Sequence, residues 1–243
     1  SATTSGSVFV ATANAGTNGL TGFIAMSTGV ATDGNSGAFF VGSGTANSGR
    51  GGSIYVTVGS GNSGSGGEFV LSGGDSSFAT GSGGRVVIKS GYGSSTDSGD
   101  MLVATPDAGT AGLSGFIALS TGVTTEGNSG AFYVGTGTSV AGRGGSVYVT
   151  VGSGNSGAGG DVVLMAGTSS AEAGGQIYLS GGTSSVTTGG RVLIQSGFSS
   201  SASSGVIGIQ TADSSASGVS GYLTMSTGSS LVGNSGAMFI GSG

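Results

Sequence analysis

The sequence lacks cysteine, histidine and tryptophan, and it has a single proline among its 243 residues. Without histidine or cysteine the chain cannot build a Ser-His-Asp or Cys-His nucleophilic centre or a zinc site of those ligands. Without cysteine no disulfide stabilises it, and one proline excludes collagen triplets and a polyproline rod. The ten acidic residues are scattered along the sequence. We therefore expect neither enzymatic activity nor a bound cofactor or metal.

Charge is also scarce, since Lys and Arg number 5, Asp and Glu number 10, and the net charge is −5. So few basic residues exclude nucleic acid and an anionic membrane surface as partners. No apolar run approaches the roughly 18 residues of a membrane span. The chain begins at Ser1 and stops within a repeat at Gly243. From this we expect it to be part of a longer repetitive polypeptide.

Glycine, by contrast, accounts for 58 residues, and it marks an internal repeat. Each repeat opens with glycine (position 0) and has large apolar residues at positions 2 and 4, as in Gly145-Ser146-Val147-Tyr148-Val149. All 32 such sites, two in each of sixteen repeats, are apolar. Most repeats are 15 residues long. The opening glycines are Gly6, Gly22, Gly37, Gly52, Gly67, Gly84, Gly99, Gly115, Gly130, Gly145, Gly160, Gly175, Gly190, Gly205, Gly221 and Gly236.

A spacing of two is the period of a β-strand with one buried face. Because one short strand cannot bury that face alone, we expect the repeats to stack. The predicted fold is an all-β, single-domain β-solenoid of about sixteen 15-residue coils, thin and two-sheeted. Its super-repeats would be 6–98, 99–204 and a partial copy, 205–243. A second glycine at position 7 predicts either a corner with positive φ or a close approach of two backbones.

Position 3 lies between the two apolar sites and is expected to point outward. Seven of the sixteen residues there are aromatic, which predicts an apolar outer stripe for lateral contact. The alternative is that these side chains only favour extended backbone. The stripe consists of Phe9, Phe40, Tyr55, Tyr133, Tyr148, Tyr178 and Phe239.

The pattern resembles that of long Gly/Ser-rich repeat proteins of diatoms, oomycetes and related protists. The segments Gly160-Asp161-Val162-Val163-Leu164 and Gly175 to Ser185 show the resemblance most clearly. It extends over nearly the whole chain and implies a secreted, surface or fibre role. Adhesin shafts and viral fibres share such an architecture.

Two functions follow as expectations. The first is a structural, extracellular or cell-surface filament protein whose main partner is itself, with matrix or carbohydrate as a further contact. The second is an ice-binding protein, favoured by the repeat length and low charge but opposed by the absence of a two-column threonine row. Asp recurs too rarely for rows of calcium ligands.

Overall fold

The computed structural model describes residues 4–242, and within that range it contains no α-helix and no β-strand. The prediction of a β-solenoid is therefore wrong. Hydrogen bonds recorded in this range join residues at most 10 positions apart, as between Thr12 and Gly22. Stacked 15-residue coils would require bonds between residues about 15 apart. No hydrogen bond of residues 4–242 has that spacing, so the repeats in this range form no ladder, and none of these residues is buried in a shared core.

The chain divides into two units, Ser1–Leu119 and Ser120–Gly243. This division falls inside a repeat, between positions 4 and 5 of the repeat that opens at Gly115. It does not coincide with the boundary between the predicted super-repeats at 98/99. Each unit is built from the same two parts, an extended segment at positions 0–6 and a loop that leads to the next opening glycine.

The extended segments retain the period of two. In the segment of Gly52, Ile54 is 51% exposed and Val56 is 67% exposed, whereas Tyr55 between them is 86% exposed. Alternate side chains therefore lie on opposite sides, as in any extended chain. The spacing of two therefore predicted extended backbone correctly. It does not determine whether that backbone pairs with a neighbouring segment.

Most loops are closed by a hydrogen bond between their two ends. In eight repeats the amide of the next opening glycine donates to the carbonyl of the residue at position 7, as Gly190 N does to Gly182 O at 2.8 Å. The expected close backbone approach at position 7 therefore occurs. The alternative, a positive φ there, does not. Within residues 4–242, glycine with a positive φ lies at position 12, at Gly34, Gly49 and Gly64.

Other loops are closed by a side chain at position 6. The hydroxyl of Thr28 donates to the carbonyl of Gly37 at 3.1 Å, and that of Thr136 to Gly145 at 3.2 Å. Ser43 combines both modes, since its hydroxyl donates to Gly52 O while Gly52 N donates to Gly44 O. In the described part of the chain, no repeat with threonine at position 6 shows the backbone closure.

The irregular repeat lengths are absorbed entirely by the loops. Four repeats are 16 or 17 residues long, and the loop of each contains a β-turn closed by a backbone hydrogen bond. No other loop within residues 4–242 has such a bond. The four turn bonds run from Gly19 to Gly16, Gly81 to Phe78, Gly112 to Gly109 and Gly218 to Ser215. A four-residue turn takes up extra chain without moving its ends apart. The extended segments consequently keep one length throughout.

The units leave an unusually large surface in contact with solvent. The accessible area is 24244 Å². Two separate compact domains of half this mass would expose roughly 11,000 Å² together. No residue within 4–242 is buried, including the apolar residues at positions 2 and 4 that were expected to form the core. A single copy of the chain therefore has no hydrophobic core.

Candidate interaction surface

We call the apolar side chains at positions 2 and 4 of the repeats, taken together, the even row. Position 2 is 46–61% exposed in every repeat except the first, and position 4 is 61–72% exposed in every repeat except the last. Val8 in the first repeat is 92% exposed, and Ile240 in the last is 84% exposed. In the other repeats both positions are partly sheltered.

The outer stripe at position 3 has no such shelter. Its seven aromatic residues, from Phe9 to Phe239, are 86–94% exposed. These side chains are more exposed than the even row, and contact through this stripe remains a prediction. The stripe is also less uniform than the even row, because position 3 includes Ala25, Gly208 and Thr224.

Several threonine hydroxyl groups at position 6 are engaged in the chain's own loops. Thr12, Thr28, Thr105 and Thr136 each donate to the carbonyl of the next opening glycine at 3.1–3.4 Å. An ice-binding surface requires a regular array of hydroxyl groups that are free to meet water. Loop closure accounts for these four threonines without ice, and no observation favours the ice-binding alternative.

Serine at position 9 organises several loops of the second unit. Ser169 Oγ accepts a hydrogen bond from the amide of Glu172 at 2.9 Å, and Ser184 Oγ accepts one from Thr187 at 2.9 Å. Ser199 and Ser230 make the same contact with the residue three positions later. These serine turns satisfy backbone amides locally. The loops are therefore ordered by short-range bonds rather than by packing.

Residues 4–242 enclose no cavity and bring together no group of three or more acidic residues able to hold a metal ion. No helix in this range is long and apolar enough to cross a membrane.

Comparison with known proteins gives no further assignment. No protein-family model matches the chain, and neither a curated protein nor a solved structure matches it.

Sequence reasoning missed the closure of the loops. The threonines were considered only as an ice-binding row, and the close backbone approach expected at position 7 was not connected with the residue at position 6. The signal was nevertheless present, because threonine occupies position 6 in some repeats and serine, valine, alanine or glycine in the rest. This division separates the repeats that show a backbone closure from those that do not.

Proposed function

We propose that this chain is a structural protein of extracellular or cell-surface filaments and that it functions by associating with itself. One observation carries the proposal: a single copy leaves every one of its large apolar side chains exposed. Exposed apolar surface on this scale marks a contact surface or an aggregation hazard. In a chain with sixteen repeats of one pattern, the contact is expected to repeat along the chain.

The remaining features support a structural role. The side chains carry few charges, and the expected absence of enzymatic chemistry remains part of the proposal. The closed loops leave the extended segments equal in length, which suits a periodic fibre. Adhesin and viral fibre shafts belong to the same class of elongated assemblies and remain alternatives within it.

Electron microscopy of the purified chain, combined with sedimentation velocity over a range of concentrations, tests the proposal. We expect filaments or elongated oligomers whose fraction rises with concentration, together with a gain of β-structure in the infrared amide I band on assembly. Immunolabelling of intact source cells tests the extracellular location. A chain that remains monomeric at every concentration would contradict the proposed function.

A further inference from the structure

We propose that the even row is the surface through which copies of this chain bind one another, so that its occupant is the even row of a second copy. The inference rests on the proposed function and specifies its contact. The outer stripe would then remain on the outside of the joined copies, where it is available for lateral contact between assemblies.

The first argument is the uniform chemistry of the even row. All 32 sites are large and apolar, although none is buried within one copy. Ile24 and Met26, for example, are 53% and 68% exposed. Position 3 is mixed by comparison, because alongside its aromatic residues it includes Ala25, Gly208 and Thr224. A uniform apolar character is what a buried position requires, and only the even row has it.

The second argument is the backbone of the extended segments. The recorded hydrogen bonds of the described residues use the backbone at positions 0, 6 and 7 and within the loops, and none uses a backbone group at positions 1–5. Unpaired extended backbone behaves like the edge of a sheet and pairs readily with another chain. Burying the even row without pairing these groups would leave them without partners, which is costly. An extended segment of a second copy could bury the apolar side chains and also pair with these backbone groups.

The third argument is the match of spacing. A partner must present apolar pairs at the same interval as this chain, because every repeat offers one pair. Another copy has the same interval because it has the same sequence. The β-turns in the long loops take up the extra residues, so the segments of both copies have the same length. With a net charge of −5 over 243 residues, repulsion between copies is small.

The fourth argument is area. Fully burying an aliphatic side chain removes roughly 60–120 Å² from water. Even-row side chains that are about half to two-thirds exposed therefore offer between about 1,000 and 2,500 Å² per chain, against roughly 800 Å² per partner in a standard interface. The even row is thus large enough to hold two copies together.

The test compares neighbouring substitutions on the two faces. Val149→Asp places a charge in the even row, and Tyr148→Asp places one in the outer stripe. Ser146→Asp, at position 1, is a second control on the outer side. We expect the concentration for half-assembly, measured by sedimentation velocity, to rise at least about tenfold for Val149→Asp, because an unpaired charge would be buried between copies. The Ser146→Asp control should stay within about twofold of the unmodified chain. Tyr148→Asp should do so for the joining of two copies, with any effect confined to the lateral association of assemblies that have already formed.

Misfolding of the single copy cannot produce the expected difference, since Val149 is 72% exposed there and supports no core. If the unmodified chain assembles but Val149→Asp assembles equally well, or Tyr148→Asp dissociates it instead, the even row is not the contact and only this inference fails. If the unmodified chain never assembles, the proposed function fails with it.

Discussion

Thr28 and Gly37, nine residues apart, are joined by a hydrogen bond of 3.1 Å from the threonine hydroxyl to the glycine carbonyl. This bond brings the end of one extended segment to the beginning of the next and turns the residues between them into a closed loop. In other repeats the same junction is made by backbone atoms alone. The chain thus makes the same junction with two kinds of hydrogen bond, one from a side-chain hydroxyl and one from a backbone amide. The residue at position 6 distinguishes the two.

Replacing threonine by valine at position 6 should change the closure of a loop from the side-chain hydrogen bond to the backbone hydrogen bond. The loops after Val58 and Val151 are closed by the backbone bond, whereas no bond from the Gly145 amide is recorded after Thr136. In Thr136→Val we therefore expect the Gly145 amide to donate to Gly137 and its hydrogen exchange, followed by NMR, to slow several-fold. The total cost should be below about 1 kcal/mol, since one hydrogen bond replaces another. Thr138→Val, within the same loop, is the control, and unchanged exchange at Gly145 in Thr136→Val would contradict the conversion.

Adjacent glycines should differ sharply in their tolerance of alanine. A Cβ at Gly181 would overlap the carbonyl oxygen of Gly190, whereas a Cβ at Gly182 would meet nothing within 4 Å. Gly181→Ala should therefore open the loop that the Gly190 amide closes, at a cost of about 1–3 kcal/mol. We expect the Gly190 amide to exchange about tenfold faster or more in that variant and to be nearly unchanged in Gly182→Ala. Equal exchange in both variants would show that the two backbones do not approach so closely.

Two glycines in nearly identical sequence should respond differently because their backbones differ. Gly34 and Gly127 both precede Asn-Ser-Gly, but only Gly34 has a positive φ, of 115°. No atom would obstruct a Cβ at Gly34, so any effect of Gly34→Ala is conformational strain, on the order of 1–3 kcal/mol. Hydrogen exchange of the loop 29–36 should rise in Gly34→Ala, while Gly127→Ala should leave the loop 122–129 unaffected. A comparable effect of both substitutions would argue against a role of the positive φ.

Deletions should be tolerated in a long loop and not in a segment. Removing Asn18 from the β-turn between Gly16 and Gly19 shortens a 16-residue repeat to the usual 15. Removing Ala25 instead moves Met26 to the opposite side of its segment, because side chains alternate with a period of two. If copies associate through the even row, sedimentation should show normal assembly for the first deletion and weakened assembly for the second. Equal behaviour of the two deletions would contradict the constant length of the segments.

The sequence by itself determined the repeat, its opening glycines and the period of two, because these depend only on the order of residues. The alternating exposure of Ile54, Tyr55 and Val56 agrees with that period. The low charge and the absence of histidine and cysteine likewise limit the chemistry without reference to any fold.

Only the tertiary structure decided where the segments lie relative to one another. A period of two describes which side a residue faces, but it is the same whether the backbone pairs with its own next repeat, with another chain or with nothing. Hydrogen bonds such as those from Thr28 to Gly37 and from Gly190 to Gly182 close individual loops, and none of the hydrogen bonds in residues 4–242 pairs one segment with the next as in a ladder. The apolar row that the sequence placed in a core therefore lies at the surface of a single copy.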